Sequence, residues 1–355
     1  MRATTIHAPG DIRLTDVPDP TIEAPTDAIV RVVAGCICGS DLWPYRGANP
    51  ITAGSTIGHE AVGVVEEIGA DVRQIRKGDF VVIPFVHCDN TCPHCLAGMT
   101  SVCDHQGWTE SGQAELVRVN QADGSLVATD GMPDDAMLPS LLTLSDVMAT
   151  GWHAAVSSRV QPGGTAVVIG DGAVGLCGVI AAKELGAERI VAMSRHEPRQ
   201  ALARDFGATH VIAERDDAGV DAVLELTDGV GADSVLECVG TDQSMKTAFR
   251  IGRPGSTVGF VGVPHGVELP VRRMFQKNVG LAGGMAPVRQ MFVRNVGLAG
   301  GMAPVRTYLP DLLDRVLDRR IDPGKVFDLT LPLDEVAEGY KAMDERRAIK
   351  VLLRP

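Results

Sequence analysis

Four of the eight cysteines stand close together in the segment HCDNTCPHCLAGMTSVC, which covers residues 87–103. They are Cys88, Cys92, Cys95 and Cys103. Thiols at such short spacing can form two disulfides, enclose one metal ion or act as a redox-active pair. The rest of the sequence has to distinguish these three chemistries.

The composition favours a metal over disulfides. The N-terminal segment MRATTIHAPG reaches Pro9 and Gly10 before any apolar run long enough for a secretion signal. No stretch approaches the roughly 18 apolar residues of a membrane span. We therefore expect a cytoplasmic protein with no membrane partner, in which reducing conditions disfavour disulfides. The net charge of −12 argues against a nucleic-acid partner, because binding phosphates needs a basic surface.

A second motif predicts a nucleotide site. The segment TAVVIGDGAVG contains Gly170-x-Gly172-x-x-Gly175, after an apolar strand and before a helical segment. The first glycine permits a tight turn, the second lets the backbone approach a pyrophosphate, and the third allows close helix packing. The pyrophosphate is expected at the helix N-terminus, at Ala173 and Val174. An ordinary glycine-rich turn is the alternative.

The end of the next strand indicates which coenzyme binds. NAD-specific sites carry Asp or Glu about 20 residues after the motif, whereas this chain has Ser194-Arg195-His196. A carboxylate repels a 2′-phosphate, but a hydroxyl and a guanidinium bind it. NADP(H) is therefore the predicted coenzyme. In the alternative, the coenzyme is NAD(H) and Arg195 is a solvated surface residue.

Two patterns of secondary structure must position these motifs. The N-terminal part has short β-branched runs such as AIVRVVAG and AVGVVEEIG between glycines and prolines, which predicts a compact, mostly β domain. From about Ser157, apolar strands such as TAVVIG and SVLECVG alternate with helical segments, which predicts a parallel, doubly wound sheet. The helical tail from Tyr308 is expected to return to the first domain.

One segment is repeated. MFQKNVGLAGGMAPVR at Met274–Arg289 is followed by MFVRNVGLAGGMAPVR at Met291–Arg306. Two copies are too few for a solenoid, which needs at least three. We interpret the repeat as a tandem duplication in which one copy supplies a sheet-edge strand. The other copy is looped out or adds a further strand.

Four more segments complete a pattern: AGCICGSDLWPYRG, STIGHEAVGVVEEIG, RKGDFVV and LTLSDVMATGWHAA. With the cysteine cluster and the glycine motif, they resemble the zinc-dependent medium-chain alcohol dehydrogenases along nearly the whole chain. The resemblance implies an α/β fold with a β-rich GroES-like catalytic domain and a doubly wound Rossmann coenzyme-binding domain. The catalytic domain is predicted at 1–148 and 307–355, with a zinc lobe near 86–105. The Rossmann domain is predicted at 149–306, including the repeats 273–289 and 290–306.

By this resemblance, a catalytic zinc is held by Cys38, His59 and Asp146, with Glu60 as an intermittent ligand or a neighbour of the ligands. Cys38 matches better than Cys36 because Gly-Ser-Asp follows it. One thiolate, one imidazole and one carboxylate leave a fourth position open for water or substrate. Each residue also has an ordinary alternative: a small core cysteine, a buried histidine or a helix cap.

The resemblance also accounts for the cysteine cluster, because it implies a structural zinc held by Cys88, Cys92, Cys95 and Cys103. Four thiolates close the coordination sphere, so such a site stabilises a loop and takes no part in the reaction. Three residues separate the first two cysteines, where the family usually has two. Asp89 is therefore an alternative first ligand. The histidines of the lobe are expected to face solvent.

The implied activity is that of an NADP(H)-linked alcohol dehydrogenase or carbonyl reductase. Hydride passes between nicotinamide C4 and a small alcohol, aldehyde or ketone on the catalytic zinc. The alternatives are an NAD-dependent polyol or amino-alcohol dehydrogenase of the same fold, and a non-catalytic NADPH-binding redox sensor. The family also implies a homodimer or homotetramer.

Several further residues are assigned by the same resemblance. Ser40 is the implied start of the proton relay, but Trp43 occupies the position of the relay's usual histidine. Val239 and Gly240 belong to a segment expected near the nicotinamide. The aromatic residues Trp43, Tyr45, Trp108 and Trp152 predict an aromatic-lined substrate pocket, with core packing as the alternative for the last two.

Overall fold

A computed structural model describes residues 1–264, 266–267 and 297–355. These residues form two compact units, Met1–Ala149 with Pro304–Pro355, and Thr150–Ala303. The sequence predicts the limits after residues 148 and 306, whereas the structural units divide after residues 149 and 303.

The described strands, in chain order, are β1 Arg2–Ala8, β2 Asp11–Asp16, β3 Ala28–Cys36, β4 Ser55–Thr56, β5 Ala61–Ile68, β6 Phe80–Ile83, β7 Val86–His87, β8 Gly107–Trp108, β9 Leu116–Val119, β10 Val127–Ala128, β11 Thr165–Ile169, β12 Arg189–Met193, β13 His210–Ile212, β14 Ala232–Glu237, β15 Gly252–Phe260, β16 Gly297–Gly300, β17 Phe327–Pro332 and β18 Lys350–Arg354.

The described α-helices are α1 Leu42–Tyr45, α2 Pro93–Leu96, α3 Ala122–Ser125, α4 Leu138–Thr143, α5 Val147–Ser157, α6 Ala173–Glu184, α7 Glu197–Phe206, α8 Asp216–Leu226, α9 Asp242–Ile251, α10 Val305–Leu317 and α11 Val336–Asp344. Short 3₁₀ turns lie at Gly39–Asp41, Thr100–Val102, Asp135–Met137, Pro323–Val326 and Leu333–Glu335. Within these ranges, no helix combines the length and apolar character needed to cross a bilayer.

The first unit is mostly β structure, which confirms the predicted class of this part. Its larger sheet has the order β10-β6-β5-β3-β18-β17, and β9 also pairs with β3. The apolar side chains of β3, β5 and β6 form one buried cluster that holds these central strands together. The C-terminal strand β18 pairs antiparallel with the end of β3, with Leu352 opposite Cys36. The end of the chain is thereby brought next to the segment that follows β3.

The second unit contains a parallel sheet of the order β13-β12-β11-β14-β15-β16. Helices α6 to α9 connect its successive strands. Because the strand order reverses between β11 and β14, a crevice is expected beyond the carboxyl ends of these two strands. The predicted doubly wound α/β fold is confirmed.

Part of the repeat can be placed. The first copy and the beginning of the second, up to residue 296, lie outside the described residues. Gly297–Gly300 of the second copy forms β16, which pairs parallel with Thr257–Phe260 of β15. The second copy thus supplies the last strand of the described sheet. The first copy contains the same four residues, GLAG, at 280–283.

We expect deletion of residues 290–306 to keep the fold, because the first copy, which contains the same GLAG segment, can then supply the strand next to β15. The thermal midpoint should stay within about 4 °C of the wild type, a shift that corresponds to about 1 kcal/mol in a chain of this size. Circular dichroism of this variant and of a variant lacking 273–306 tests the prediction. The second variant should lose stability, and loss of folding in the first would show that both copies are structural.

Candidate functional site

Four residues assigned to the catalytic metal lie together in the first unit. Cys38, His59, Glu60 and Asp146 offer donor atoms that all lie within 4.8 Å of one another. The distance from Cys38 Sγ to Asp146 Oδ2 is 3.4 Å, and His59 Nε2 lies 3.4 Å from the same oxygen. Ligand atoms around a tetrahedral zinc, with bonds of about 2.0–2.3 Å, lie about 3.3–3.8 Å apart. The donor set therefore fits a zinc ion.

The local structure explains why these residues meet. Cys38 follows β3 and precedes the 3₁₀ turn Gly39–Asp41, while Asp146 lies immediately before α5. His59 and Glu60 lead into β5, after Gly58 with φ +98°. A Cβ atom at Gly58 would approach the Gln113 side chain to 2.4 Å, so only glycine is suited to this turn.

Asp41 fixes the histidine ring, a role that sequence reasoning missed. Its Oδ1 lies 3.3 Å from His59 Nδ1, and its Oδ2 accepts hydrogen bonds from Cys38 N at 2.9 Å and from Gln113 Nε2 at 3.0 Å. A carboxylate on one ring nitrogen orients the other nitrogen towards the metal. The signal was available, because Asp41 ends the Gly-Ser-Asp motif.

A buried ion pair adjoins the metal-binding group. Lys350 Nζ donates to Glu60 Oε1 at 2.6 Å and to the Ile37 carbonyl at 3.2 Å. The two side chains are 1% and 0% exposed. Glu60 Oε2 is also buried and accepts no hydrogen bond from the described residues, so it is an oxygen suited to approach a metal. No sequence motif pointed to Lys350, which is separated from Glu60 by 290 positions.

The electrostatics of this pocket favour a cation. Burial raises the pKa of the Cys38 thiol, and the charges of Asp146 and Glu60 raise it further. Burial also raises the pKa of Glu60, against the opposing effect of Lys350. Burial lowers the pKa of His59, but Asp41 and Cys38 outweigh it, and the pKa is raised well above its usual value. A divalent cation would relieve this crowding because it neutralises carboxylates and deprotonates a coordinating thiol.

The second donor group lies in the cysteine lobe. Asp89, Cys92, Cys95 and Cys103 offer donor atoms within 4.8 Å of one another. The sulfur atoms of Cys92 and Cys103 are 3.8 Å apart, which matches the separation of about 3.8 Å set by zinc–sulfur bonds of about 2.3 Å. Cys88 is fully buried, and its Sγ donates to the Gly124 carbonyl at 3.3 Å. This placement favours Asp89 over Cys88 as the first ligand.

The partners of Asp89 stabilise the ionised form of its side chain. Its Oδ1 accepts hydrogen bonds from the N–H groups of Thr91 and Cys92, at 2.8 and 3.0 Å, and its Oδ2 lies 2.7 Å from His105 Nδ1. Burial acts to raise the pKa of Asp89, but these three partners hold it well below its usual range. With Asp89 as first ligand, two residues separate it from Cys92, which is the usual spacing of the family.

The histidines of the lobe differ in exposure. His94 and His105 face solvent as expected, with side chains 57% and 65% exposed. The expectation is wrong for His87, which lies in β7 and is fully buried. Its ring nitrogens contact Asn120 Oδ1 and, at 2.8 Å, Thr109 Oγ1. Burial lowers the pKa of His87 to about 4, so this ring is neutral near pH 7.

The four aromatic residues predicted to line the substrate pocket differ in their burial. Tyr45 packs on Tyr340, with ring centroids 5.4 Å apart, beside a buried core cluster. Trp152 is 6% exposed and belongs to the core. Trp108 is 48% exposed, and Trp43 is half-buried on α1. Core packing therefore accounts for Tyr45 and Trp152.

The glycine motif forms the connection between β11 and α6 in the second unit. Gly170 has φ +115°, a left-handed conformation that favours glycine. A Cβ atom at Gly175 would lie 2.0 Å from the Gly170 carbonyl oxygen, whereas one at Gly172 meets nothing within 4 Å. The space beside Gly172 and the first N–H groups of α6, at Ala173 and Val174, are suited to a phosphate.

The predicted 2′-phosphate residues lie at the end of β12. Ser194 is buried, and its hydroxyl donates to Asp171 Oδ2 at 2.9 Å. Arg195 is exposed. Arg199 on α7 donates to the Asp171 carbonyl at 3.2 Å and lies 3.5 Å from its Oδ1. Sequence reasoning missed Asp171 and Arg199, although Asp171 is the variable residue between the first two glycines of the motif.

The segment assigned to the nicotinamide has a fixed backbone. Glu237 Oε1 accepts hydrogen bonds from the N–H groups of Val239 and Gly240 at 3.0 and 2.9 Å. Gly240 has φ +85°, and a Cβ atom there would lie 2.1 Å from the Val263 carbonyl oxygen. Val239 is 39% exposed. The loop therefore presents Val239 on a rigid turn.

Comparison with known proteins assigns the family. Residues 24–130 match the alcohol dehydrogenase GroES-like domain, and residues 173–296 match the zinc-binding dehydrogenase domain. A probable zinc-binding alcohol dehydrogenase of Mycobacterium tuberculosis is 35% identical, over 100% of this chain and 89% of the relative. The chain belongs to the zinc-dependent medium-chain alcohol dehydrogenases. The predicted resemblance is confirmed, and the protein is an oxidoreductase of the zinc-type alcohol dehydrogenase class.

Solved structures support the same assignment of this alcohol dehydrogenase. Alcohol dehydrogenase TADH from Thermus sp. ATN1 is 31% identical with a TM-score of 0.88, over 100% of this chain and 99% of that chain. A zinc-binding dehydrogenase from Sinorhizobium meliloti 1021, solved with NADP bound, is 25% identical with a TM-score of 0.81, over 100% and 99% of the two chains.

The zinc content of lobe variants tests the first ligand. We expect about two zinc ions per chain, one for each donor group, and about one in Cys95→Ser. Cys88→Ser should keep the wild-type content, because its thiol contacts the Gly124 carbonyl. Asp89→Asn should lose the lobe zinc faster to a chelator. Elemental analysis after chelator treatment measures the zinc that remains. If Asp89→Asn kept its lobe zinc and Cys88→Ser lost it, Cys88 would be the ligand.

The buried ion pair between Lys350 and Glu60 leads to a separate prediction, about the stability of the chain. Lys350→Met should destabilise the chain by about 3–5 kcal/mol, because it leaves the Glu60 charge buried without a partner. The double variant Lys350→Met/Glu60→Gln should recover part of this loss, since no buried charge remains. Thermal unfolding measures both, with Lys341→Met as the control because Lys341 is an exposed lysine on α11. Equal stability of Lys350→Met and Lys341→Met would contradict the prediction.

Proposed function

We propose that this protein is a zinc-dependent, NADP(H)-linked alcohol dehydrogenase or carbonyl reductase acting on small alcohols, aldehydes or ketones. The observation that carries the proposal is the arrangement of Cys38, His59 and Asp146, whose donor atoms are spaced as ligands of one zinc ion would be. The His59 side chain is 22% exposed, so the group is open to solvent on one side. Three protein ligands and one open side are typical of catalytic zinc sites.

Each residue of this group has a separate task. Cys38, His59 and Asp146 would hold the zinc, which supplies Lewis acidity to an alcohol or carbonyl oxygen. Asp41 keeps the His59 ring oriented, and Lys350 holds the Glu60 carboxylate beside the ligands.

Ser40 is our candidate for proton transfer. It lies two residues after Cys38 on the 3₁₀ turn and is half-buried. A hydroxyl at this position can pass a proton between the reacting oxygen and water. Trp43, on the helix that follows, has no ring nitrogen able to accept a proton, so the relay continues through water in this proposal.

The substrate side of the group is aromatic. The rings of His59 and Phe85 have centroids 6.1 Å apart, and those of Phe85 and Trp108 6.2 Å apart. The N–H of Phe85 donates to the Ser145 carbonyl at 3.2 Å, next to Asp146. These contacts form a wall that runs from the ligand group to the exposed Trp108. We propose substrates with an apolar or aromatic substituent, which would lie along this wall.

The coenzyme and the second zinc complete the proposal. Ser194 and Arg195 follow β12 where NAD-specific sites carry an acidic residue, and a related dehydrogenase was solved with NADP bound. Their position supports NADP(H). We also propose a structural zinc on Asp89, Cys92, Cys95 and Cys103, where Sγ of Cys103 accepts hydrogen bonds from two backbone N–H groups at 3.3 Å.

We further propose that the enzyme is cytoplasmic and forms a homodimer or homotetramer. None of the eight cysteines forms a disulfide, which suits a reducing compartment. The oligomer proposal is supported by β16, the last strand of the described sheet, because a strand at a sheet edge can pair with a second copy. The charge of −12 disfavours nucleic-acid partners.

Steady-state kinetics test this function. Wild-type protein with NADPH should reduce aromatic aldehydes or ketones, whereas Cys38→Ser should lose zinc and activity together. Ser40→Ala should keep its zinc but lose about 10²-fold in kcat, as expected for removal of a general acid. Activity that survives loss of the catalytic zinc would overturn the mechanism, and higher kcat/KM with NADH than with NADPH would overturn the coenzyme assignment.

A further inference from the structure

The nucleotide site contains a carboxylate where a 2′-phosphate is expected to bind. Asp171, on the loop between β11 and α6, accepts a hydrogen bond from the Ser194 hydroxyl at 2.9 Å. It also lies beside Arg199, with 3.5 Å between Nη1 and Oδ1. The Asp171 and Arg199 side chains are 15% and 13% exposed. The cluster is therefore largely buried but retains some access.

The hydrogen bond from Ser194 fixes the position of the Asp171 carboxylate. A hydroxyl has one proton and two lone pairs, and here the proton is directed to Asp171 Oδ2. Because Ser194 is fully buried, its hydroxyl does not reach a ligand, and its role is to hold the Asp171 carboxylate in place. Gln200 Nε2 donates to the Ser194 carbonyl at 2.8 Å and so keeps this residue in place.

The charges in the cluster oppose one another. The Arg199 guanidinium attracts a 2′-phosphate, whereas the Asp171 carboxylate repels it and offsets part of the attraction. An acidic residue close to the ribose is the feature that favours NAD in this kind of fold. The glycine-rich loop thus supplies an acidic group that is missing at the end of β12.

We propose that Asp171 is a specificity-determining residue that limits the preference for NADP(H) over NAD(H). The inference rests on the proposed dehydrogenase function and adds a residue to its coenzyme site. Asp171→Asn removes the charge while keeping the size of the side chain. Its amide can still form a hydrogen bond with Ser194 Oγ, so the side chain keeps its place but no longer repels a 2′-phosphate. The variant should therefore bind NADP(H) more tightly relative to NAD(H).

Coenzyme binding tests this without relying on turnover. The dissociation constants of NADPH and NADH are measured by nucleotide fluorescence on the full chain, and their ratio is compared between variants. Asp171→Asn should raise the preference for NADPH by about 5-fold, and Arg199→Gln should lower it by about 5-fold or more. Arg204→Gln is the matched control, because Arg204 is an exposed arginine on the same helix, and it should keep the wild-type ratio.

Further variants exclude a merely structural effect. Ser194→Ala removes the hydrogen bond to Asp171 but keeps the Asp171 charge, so it should shift the ratio less than Asp171→Asn does. Asp171→Ser carries the same charge change and replaces Asp171→Asn if that variant does not fold. An unchanged ratio, or a shift towards NADH, on removal of the Asp171 charge would overturn the inference.

The test also separates this inference from the proposed function. Wild-type protein that binds NADH better than NADPH overturns only the NADP assignment, and the shift caused by Asp171→Asn still decides the role of Asp171. Folded wild-type protein that binds neither coenzyme overturns the proposed function and this inference together.

Discussion

The balance of charge around Cys38 is the constraint on which the first unit depends. A thiol, an imidazole and two carboxylates have donor atoms within 4.8 Å of one another, largely shielded from water. Such a set is unstable unless a cation compensates it, because burial and mutual repulsion both oppose ionisation. Lys350 supplies one positive charge to Glu60, and a divalent metal would supply the rest. The antiparallel pairing of β3 with β18 brings Lys350 to this place.

The second unit depends on backbone geometry more than on charge. The positive φ of Gly170 favours glycine, and the close approach of Gly175 to the Gly170 carbonyl leaves no room for a side chain at Gly175. At Gly172 the start of the helix faces open space. These features favour a phosphate of any nicotinamide dinucleotide. In our proposal, selectivity between coenzymes comes from the side chains of Asp171 and Arg199, which carry opposite charges and lie 3.5 Å apart.

The parts of the structure that could be predicted are those encoded by local pattern. The doubly wound sheet follows from apolar strands that alternate with helices, and Cys38 and His59 stand in recognisable short motifs. Lys350 was not predictable, because a single lysine far along the chain acquires its role only when two strands pair. The preference for Asp89 over Cys88 depends on which way each side chain points from a short turn. Spacing raises both options, and the side-chain positions support our proposal of Asp89.

The central claim is that Cys38, His59 and Asp146 hold a zinc ion. An anomalous difference map, collected at the zinc absorption edge from crystals grown without added metal, tests it most directly. The account predicts one peak bounded by these three side chains and a second peak in the lobe, bounded by Asp89 and three cysteines. A well-ordered map with no peak among Cys38, His59 and Asp146 would contradict it.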